Sequence, residues 1–306
     1  MPRIRLIIVR LIFLLIAVAA VDRLVFLGLL RQVRVESGSM AETVRGLHYR
    51  VTCGECGYEF ACDATKPPAS GRATCPLCGN ANNKLDETIY PGERLWVDRT
   101  AFWWRSPRRW EPIVFRDPGS GQLTIKRVVG LPGEKISIRT GDVYADGRLL
   151  DKPDDVRRAM GILVSDSKYQ KGDAETSEST PPLRGGNPRR SRGVLSTSIA
   201  GSAWEQGDAL IRVLDNYGYN QTESRRLNEV RKTWTVKDGS REQVFRDVYY
   251  TDVPRPGTGL PPDKYELGPD EYFVLGDNSP ISDDSRHWPH PGLPAAAIVG
   301  KPLGVR

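Results

Sequence analysis

Ser39 stands in the run VESGSM, residues 35–40, two positions after Ser37 and directly before Met40. A serine hydroxyl is a weak nucleophile and needs a base to take its proton. The chain has three histidines, His48, His287 and His290. No G-x-S-x-G occurs, and nothing pairs an acid with a histidine. His287 and His290 fall in a Trp/Pro-rich loop, where surface positions are expected. The other base a serine can use is lysine. Such a lysine must be neutral at working pH, and moving it from about 10.4 to about 7 takes roughly 4–5 kcal/mol of differential desolvation. It therefore belongs on a strand in apolar surroundings. LTIKRVVG, residues 123–130, offers Lys126 beside Ile125 and ahead of Val128 and Val129. Arg127 must then point to the opposite face, because side chains alternate along a strand. Read alone, these segments also fit a solvated edge-strand lysine and an ordinary Ser-Gly-Ser loop.

A second chemistry lies between the two. CGEC (53–56) and CPLC (75–78) are each followed by glycine and form C-x2-C-x18-C-x2-C. That is zinc-ribbon spacing, in which Cys53, Cys56, Cys75 and Cys78 present four thiolates tetrahedrally to a structural zinc. So small a unit cannot build a core without a staple. Iron could use the same geometry, and a disulfide framework is the alternative that an oxidising location favours. Cys62 makes the count odd and is expected to be a packed or free thiol.

These residues need elements to hold them. With 306 residues, 39% hydrophobic and 27% charged, the chain has the balance of a soluble body rather than a polytopic membrane protein. The net charge of +6 is scattered apart from Arg189, Arg190 and Arg192. Without a basic helix or aromatic–basic stripe, nucleic acid is not an expected partner. The apolar N-terminal run reads as a span over about residues 5–25, with Arg10 and Arg23 snorkelling to opposite interfaces. Arg3, Arg5 and Arg10 place its start in the cytoplasm. A cleavable signal peptide ending at AVAA (17–20) is the competing reading. RLWVD, PIVFR, LTIKRVVG, EKISIR and VYADGRLL read as strands, the last a hairpin at Asp146-Gly147. A short helix is expected over 154–160, a flexible surface loop over 167–203, a strand at ALIRVL (209–214), a hairpin over 233–250 and a linker over 252–265. The body is therefore expected to be mainly β.

Four segments, SGSM, GERLWVD, KRVVGLPGE and GDNSPISDDSR, occur in order behind the apolar span. Together they resemble the sequence boxes of type I signal peptidases, membrane-anchored Ser–Lys endopeptidases of peptidase family S26. The resemblance covers residues 4–43, 91–153 and 266–303. It implies Ser39 as nucleophile, Lys126 as general base, Ser37 as an oxyanion donor beside the Ser39 N–H, and Ser282 as the hydroxyl that orients the lysine. Asp284 and Arg286 match a structural ion pair, and GDN (276–278) the turn that brings this loop to the dyad. It further implies preprotein substrates cut after small residues of the Ala-x-Ala type, added as an extended strand, with no cofactor for catalysis. Membrane lipid is the other implied partner, and a monomer the implied state. The implied location is the cell membrane, single-pass, with the catalytic body outside. Glu36, Glu42 and Ser-Pro-Ile at 279–281 depart from the family pattern and bear on substrate preference.

The expected fold is thus a signal peptidase-type β-fold behind one transmembrane helix. Its parts would be an anchor and interfacial segment (1–30), three core pieces (31–46, 91–155, 262–306), a zinc-ribbon insert (47–90) and a second, β-rich insert (156–261). A catalytically inactive anchored ribbon scaffold and a secreted soluble Ser–Lys peptidase are the alternatives.

Overall fold

The computed structural model describes residues 2–139, 141–169, 233–250, 264–279 and 281–305. Helix α1, Pro2–Phe26, is the one described helix long and apolar enough to cross a membrane, and none of its span over Ile4–Arg23 is buried by the rest of the chain. It hands over to strand β1, Leu30–Arg34, after Leu27-Gly28-Leu29. A single 3-10 turn, Gly38–Met40, carries Ser39. The cysteine segment follows as two small antiparallel pairs: β2 (His48–Thr52) with β3 (Glu59–Asp63), and β4 (Arg72–Ala73) with β5 (Asn83–Lys84).

The chain then returns with β6 (Arg94–Asp98), β7 (Pro112–Arg116) and β8 (Leu123–Gly130). Next come β9 (Lys135–Arg139), β10 (Asp142–Ala145) and β11 (Arg148–Leu149), the last two joined at Asp146-Gly147 as the sequence predicts. Helix α2, Asp154–Ala159, precedes β12 (Ile162–Asp166). Residues 167–169 form a 3-10 turn; the remainder of the expected loop, and the expected strand at 209–214, lie outside the described residues. The predicted hairpin appears as β13 (Thr233–Asp238) and β14 (Arg241–Arg246). Strands β15 (Tyr265–Glu266), β16 (Glu271–Leu275), β17 (Leu293–Pro294) and β18 (Ile298–Pro302) end the chain.

The main sheet has the order β1-β6-β18-β7-β8-β16-β17 and is antiparallel at every pairing. Its strands come from three separated stretches of sequence. A second sheet runs β11-β10-β9-β15, and β12-β14-β13 forms a third. Strand β8 divides two cores. Val128 packs with Ile113, Phe115 and Val274, while Val129 packs with Ile136, Phe273 and Leu275. A strand covered on both faces reads as a continuous apolar run. Only Lys126 and Arg127 break that run in β8 between Ile125 and Gly130, and both are buried.

Candidate active site

Ser39 is buried, with its Oγ 3.3 Å from Ser37 Oγ. Met40 and Val44 just beyond it are fully buried and pack with Val35 and Ile125, which ties the Ser39 turn to the start of β8. The turn is also held from the far end of the chain. Asn278 N–H donates to Ser39 O at 3.0 Å, and Asn278 Nδ2 to Gly38 O at 3.0 Å. Gly276 lies so close that a Cβ there would overlap both Ser282 Oγ and Ser39 O. Glycine is therefore the residue that lets the 276–282 loop meet the serine.

Lys126 is 2% exposed, on the central strand β8 between β7 and β16. Burial pushes its amine down to about 8, against Asp284 and Asp283, which pull it up. The solvated edge-strand reading is therefore not what the structure shows. Among the described residues no hydrogen bond joins Lys126 Nζ to Ser39 Oγ. Ser282 is also fully buried, and its Oγ has no well-formed hydrogen bond among the described residues. Asp284 is buried and so penalised for its charge. The Arg286 guanidinium beside it overrides this and holds the carboxyl well below the usual carboxylate range, with help from Lys126 and Ser282. Arg286 binds Asp284 through Nε and Nη2, both at 2.8 Å, and reaches back to Ser279 Oγ and O.

The four cysteines of the ribbon converge. Their sulfurs all lie within 4.8 Å of one another, with Cys53–Cys78 at 3.4 Å and Cys56–Cys75 at 3.6 Å. Thiolates at about 2.3 Å from a tetrahedral zinc are roughly 3.8 Å apart, whereas a disulfide needs about 2.05 Å. Each knuckle closes in the same way. Gly57 N–H donates to Cys53 O and Gly79 N–H to Cys75 O, both at 3.0 Å, with φ of 73° and 79° at the glycines. Positive φ explains why each pair is followed by glycine. The donor set, its spread and the matched turns fit a four-coordinate metal site. Cys62 instead packs with Val51 and Ala73, and burial pushes its thiol up to about 12.

Some site features escape sequence reading. Arg127 faces away from Lys126 as alternation requires. Its Nε and Nη2 hold both oxygens of Asp277 at 2.8 and 2.6 Å, and Nη1 donates to Trp110 O. Thr43 Oγ1 donates to the same carboxylate at 2.6 Å, which links the Ser39 loop to the pair. Removing one partner of a buried pair leaves the other charge uncompensated. Asp277→Ala is expected to lower unfolding stability by about 3–5 kcal/mol, measured by urea denaturation of the detergent-solubilised chain; a change under about 1 kcal/mol would refute that role. The ribbon contributes too. Asp63 is buried against Gly38, where a Cβ would sit 2.7 Å from Asp63 Oδ2, and Lys66 Nζ donates to Ile281 O at 3.3 Å. His287 is not the surface residue expected: its side chain is 10% exposed and its Nδ1 lies 3.9 Å from Asp284. His290 is exposed and bonds Glu271.

A family model described as signal peptidase, peptidase S26, matches residues 80–304, which includes Lys126 and Ser282 but begins after Ser39. The chain is 32% identical over 71 residues to signal peptidase I U of Bacillus subtilis, covering 23% of this chain and 38% of the relative. It is 28% identical over 116 residues to signal peptidase I of Leptolyngbya laminosa, covering 34% and 57%. It is 29% identical over 77 residues to probable signal peptidase I-2 of a Synechocystis species, covering 23% and 35%. The chain thus spans from about a third to somewhat over half of these curated relatives. A crystal structure of a signal peptidase I from Enterococcus faecalis aligns over 64% of this chain and 97% of that one, at 18% identity and a TM-score of 0.27.

Proposed function

Because the chain belongs to the signal peptidase family of peptidase S26, we propose that it is a membrane-bound serine endopeptidase that removes N-terminal signal peptides from exported preproteins after small residues. The observation that carries this reading is Lys126: a lysine buried on a central strand, with its amine brought to about 8, paired with β16, the strand that leads into the Gly276–Asn278 stretch packed on the buried Ser39. In this reading Lys126 Nζ takes the Ser39 hydroxyl proton as Oγ bonds to the scissile carbonyl carbon. The oxyanion is met by Ser37 Oγ and the Ser39 N–H, and the proton passes to the leaving amine. A water activated by the same amine then releases the signal peptide from Ser39. Base–nucleophile hydrogen bonds commonly tighten only in the substrate complex, and in this reading Ser282 Oγ would orient the amine as it closes.

The neutral amine is the active form, so the sign of the pH dependence is fixed. Below about 8 each pH unit leaves roughly tenfold fewer neutral lysines, and the rate should follow. A kcat/KM profile rising to a plateau above pH of about 8 is expected; one flat from pH of about 6 to 9 would be incompatible with this base.

The division into three core pieces with a ribbon insert at 47–90 and a second insert at 156–261 belongs to the same proposal. The four-cysteine site would hold a structural zinc, supplied by no residue of the catalytic loops. Helix α1 would be retained as the anchor, N-terminus in the cytoplasm, with the chain acting as a monomer. Trp103 and Trp104 support lipid contact: they are 60% and 88% exposed, in the loop after Arg99. Arg99 itself bonds the helix exit, N–H to Leu29 O and Nη1 to Gly28 O. Exposed tryptophans favour the membrane–water interface.

The direct test is a preprotein with an Ala-x-Ala site incubated with the full chain in detergent. Correct cleavage by N-terminal sequencing is expected, and none with Ser39→Ala. Recovery from membranes of a chain that begins near Val21 would contradict the retained anchor.

A further inference from the structure

Beside the Ser39 turn lies a cavity of about 260 Å³ walled by three parts of the chain. Ala41 and Glu42 directly follow the turn, Tyr58 and Phe60 come from the ribbon, and Ile162 and Arg246 from the β12–β14 sheet. Asn278, which holds Ser39 O, lines it too. Neither insert alone makes this space; it exists because both lean over the nucleophile loop.

Its charges are unequal in kind. Glu42 is paired with Arg45 at 3.3 Å, and Asp277 is held by Arg127. Glu59 is exposed. Arg246 is 2% exposed and has no carboxylate partner among the described residues. Its Nη1 donates to Asp247 O at 3.2 Å, and its Nε is buried without a partner. The Asp247 carboxylate that follows it is taken by Lys152 at 2.7 Å and by Val248 N–H. Burial pushes the Arg246 guanidinium down only to about 10, so it stays cationic at neutral pH. A buried guanidinium with most of its donors unused is costly unless a ligand completes it.

We propose that this cavity receives an acidic side chain of the substrate polypeptide, within a few residues of the cleaved bond, with Arg246 as the specificity-determining residue that binds its carboxylate. The proposal rests on the peptidase reading above and adds to it a substrate preference. The occupant is a stretch of substrate because the cavity starts two residues past Ser39 and shares Asn278 with it. A bidentate guanidinium–carboxylate pair in a desolvated site is stronger than a neutral hydrogen bond.

The test uses the full chain in detergent and a set of Ala-x-Ala peptides in which Asn is replaced by Asp at each position flanking the bond in turn. One position is expected to give a gain in kcat/KM of about tenfold for Asp over Asn. Arg246→Gln should abolish that gain while still cutting the Asn peptide, Arg246→Lys should keep part of it, and Arg45→Gln should leave it whole. No gain at any position with the wild-type chain overturns the proposal, as does a gain that survives Arg246→Gln. Should the glutamine variant fail to fold, the wild-type scan and Arg246→Lys decide. If instead no peptide is cut in a Ser39-dependent way, it is the peptidase reading that fails.

Discussion

Replacing Lys126 by alanine is expected to cut kcat/KM on an Ala-x-Ala preprotein by about 10²–10⁴-fold, the range that a positioned general base supplies. Lys126→Arg should do no better. A guanidinium stays protonated at any working pH and cannot take the Ser39 proton. The arginine variant is the sharper test, because it keeps a cation on β8 near Asp284 while removing the proton acceptor. Both variants should retain metal content and a normal unfolding transition, which separates lost chemistry from lost structure. Substantial cleavage by Lys126→Arg would remove lysine from the mechanism and leave Ser39 without a base.

The second large effect concerns the ribbon. Purified protein should carry about one zinc per chain on Cys53, Cys56, Cys75 and Cys78. Structural zinc sites contribute apparent binding energies of about 10–16 kcal/mol at neutral pH, which is folding energy for a unit whose own buried cluster is small. Cys75→Ser should therefore release the metal and open residues 47–90 to limited proteolysis. Cys62→Ser should leave metal content unchanged, since Cys62 packs with Val51 and Ala73 away from the cluster. Because Asp63 rests on Gly38 and Lys66 bonds Ile281 O, loss of the ribbon should also lower cleavage. Mass spectrometry that found Cys53–Cys56 and Cys75–Cys78 disulfides in metal-free protein would overturn the metal site.

Much of this site was readable from local signals. The C-x2-C pairs announce their own turns, and strand alternation sends Lys126 and Arg127 to opposite faces without any coordinates. The Asp146-Gly147 turn and the hairpin within 233–250, which closes at Gly239 with a positive φ, follow from turn chemistry. What could not be read is long-range pairing of ionised groups. Nothing local to Arg127 says that its partner stands 150 residues away at Asp277. Arg246 sits in a strand whose sequence marks it only as one more charged residue, although it is buried. The expectation of a surface His287 failed for a related reason: the Pro-rich loop around it packs beside Asp284 instead of leaving the body.

The junction between α1 and the main sheet has a consequence for reach. Three residues separate the helix end from β1, and Arg99 pins two of their carbonyls, Gly28 O and Leu29 O. Ser39 follows Leu30 by nine residues, so even a fully extended path puts it at most about 30 Å from the start of β1. If α1 spans the bilayer, the nucleophile works within a fixed, shallow zone above the lipid. Distance from the membrane would then select bonds alongside side-chain preference. An Ala-x-Ala site moved outward on a long, rigid spacer would be spared, although its sequence is unchanged.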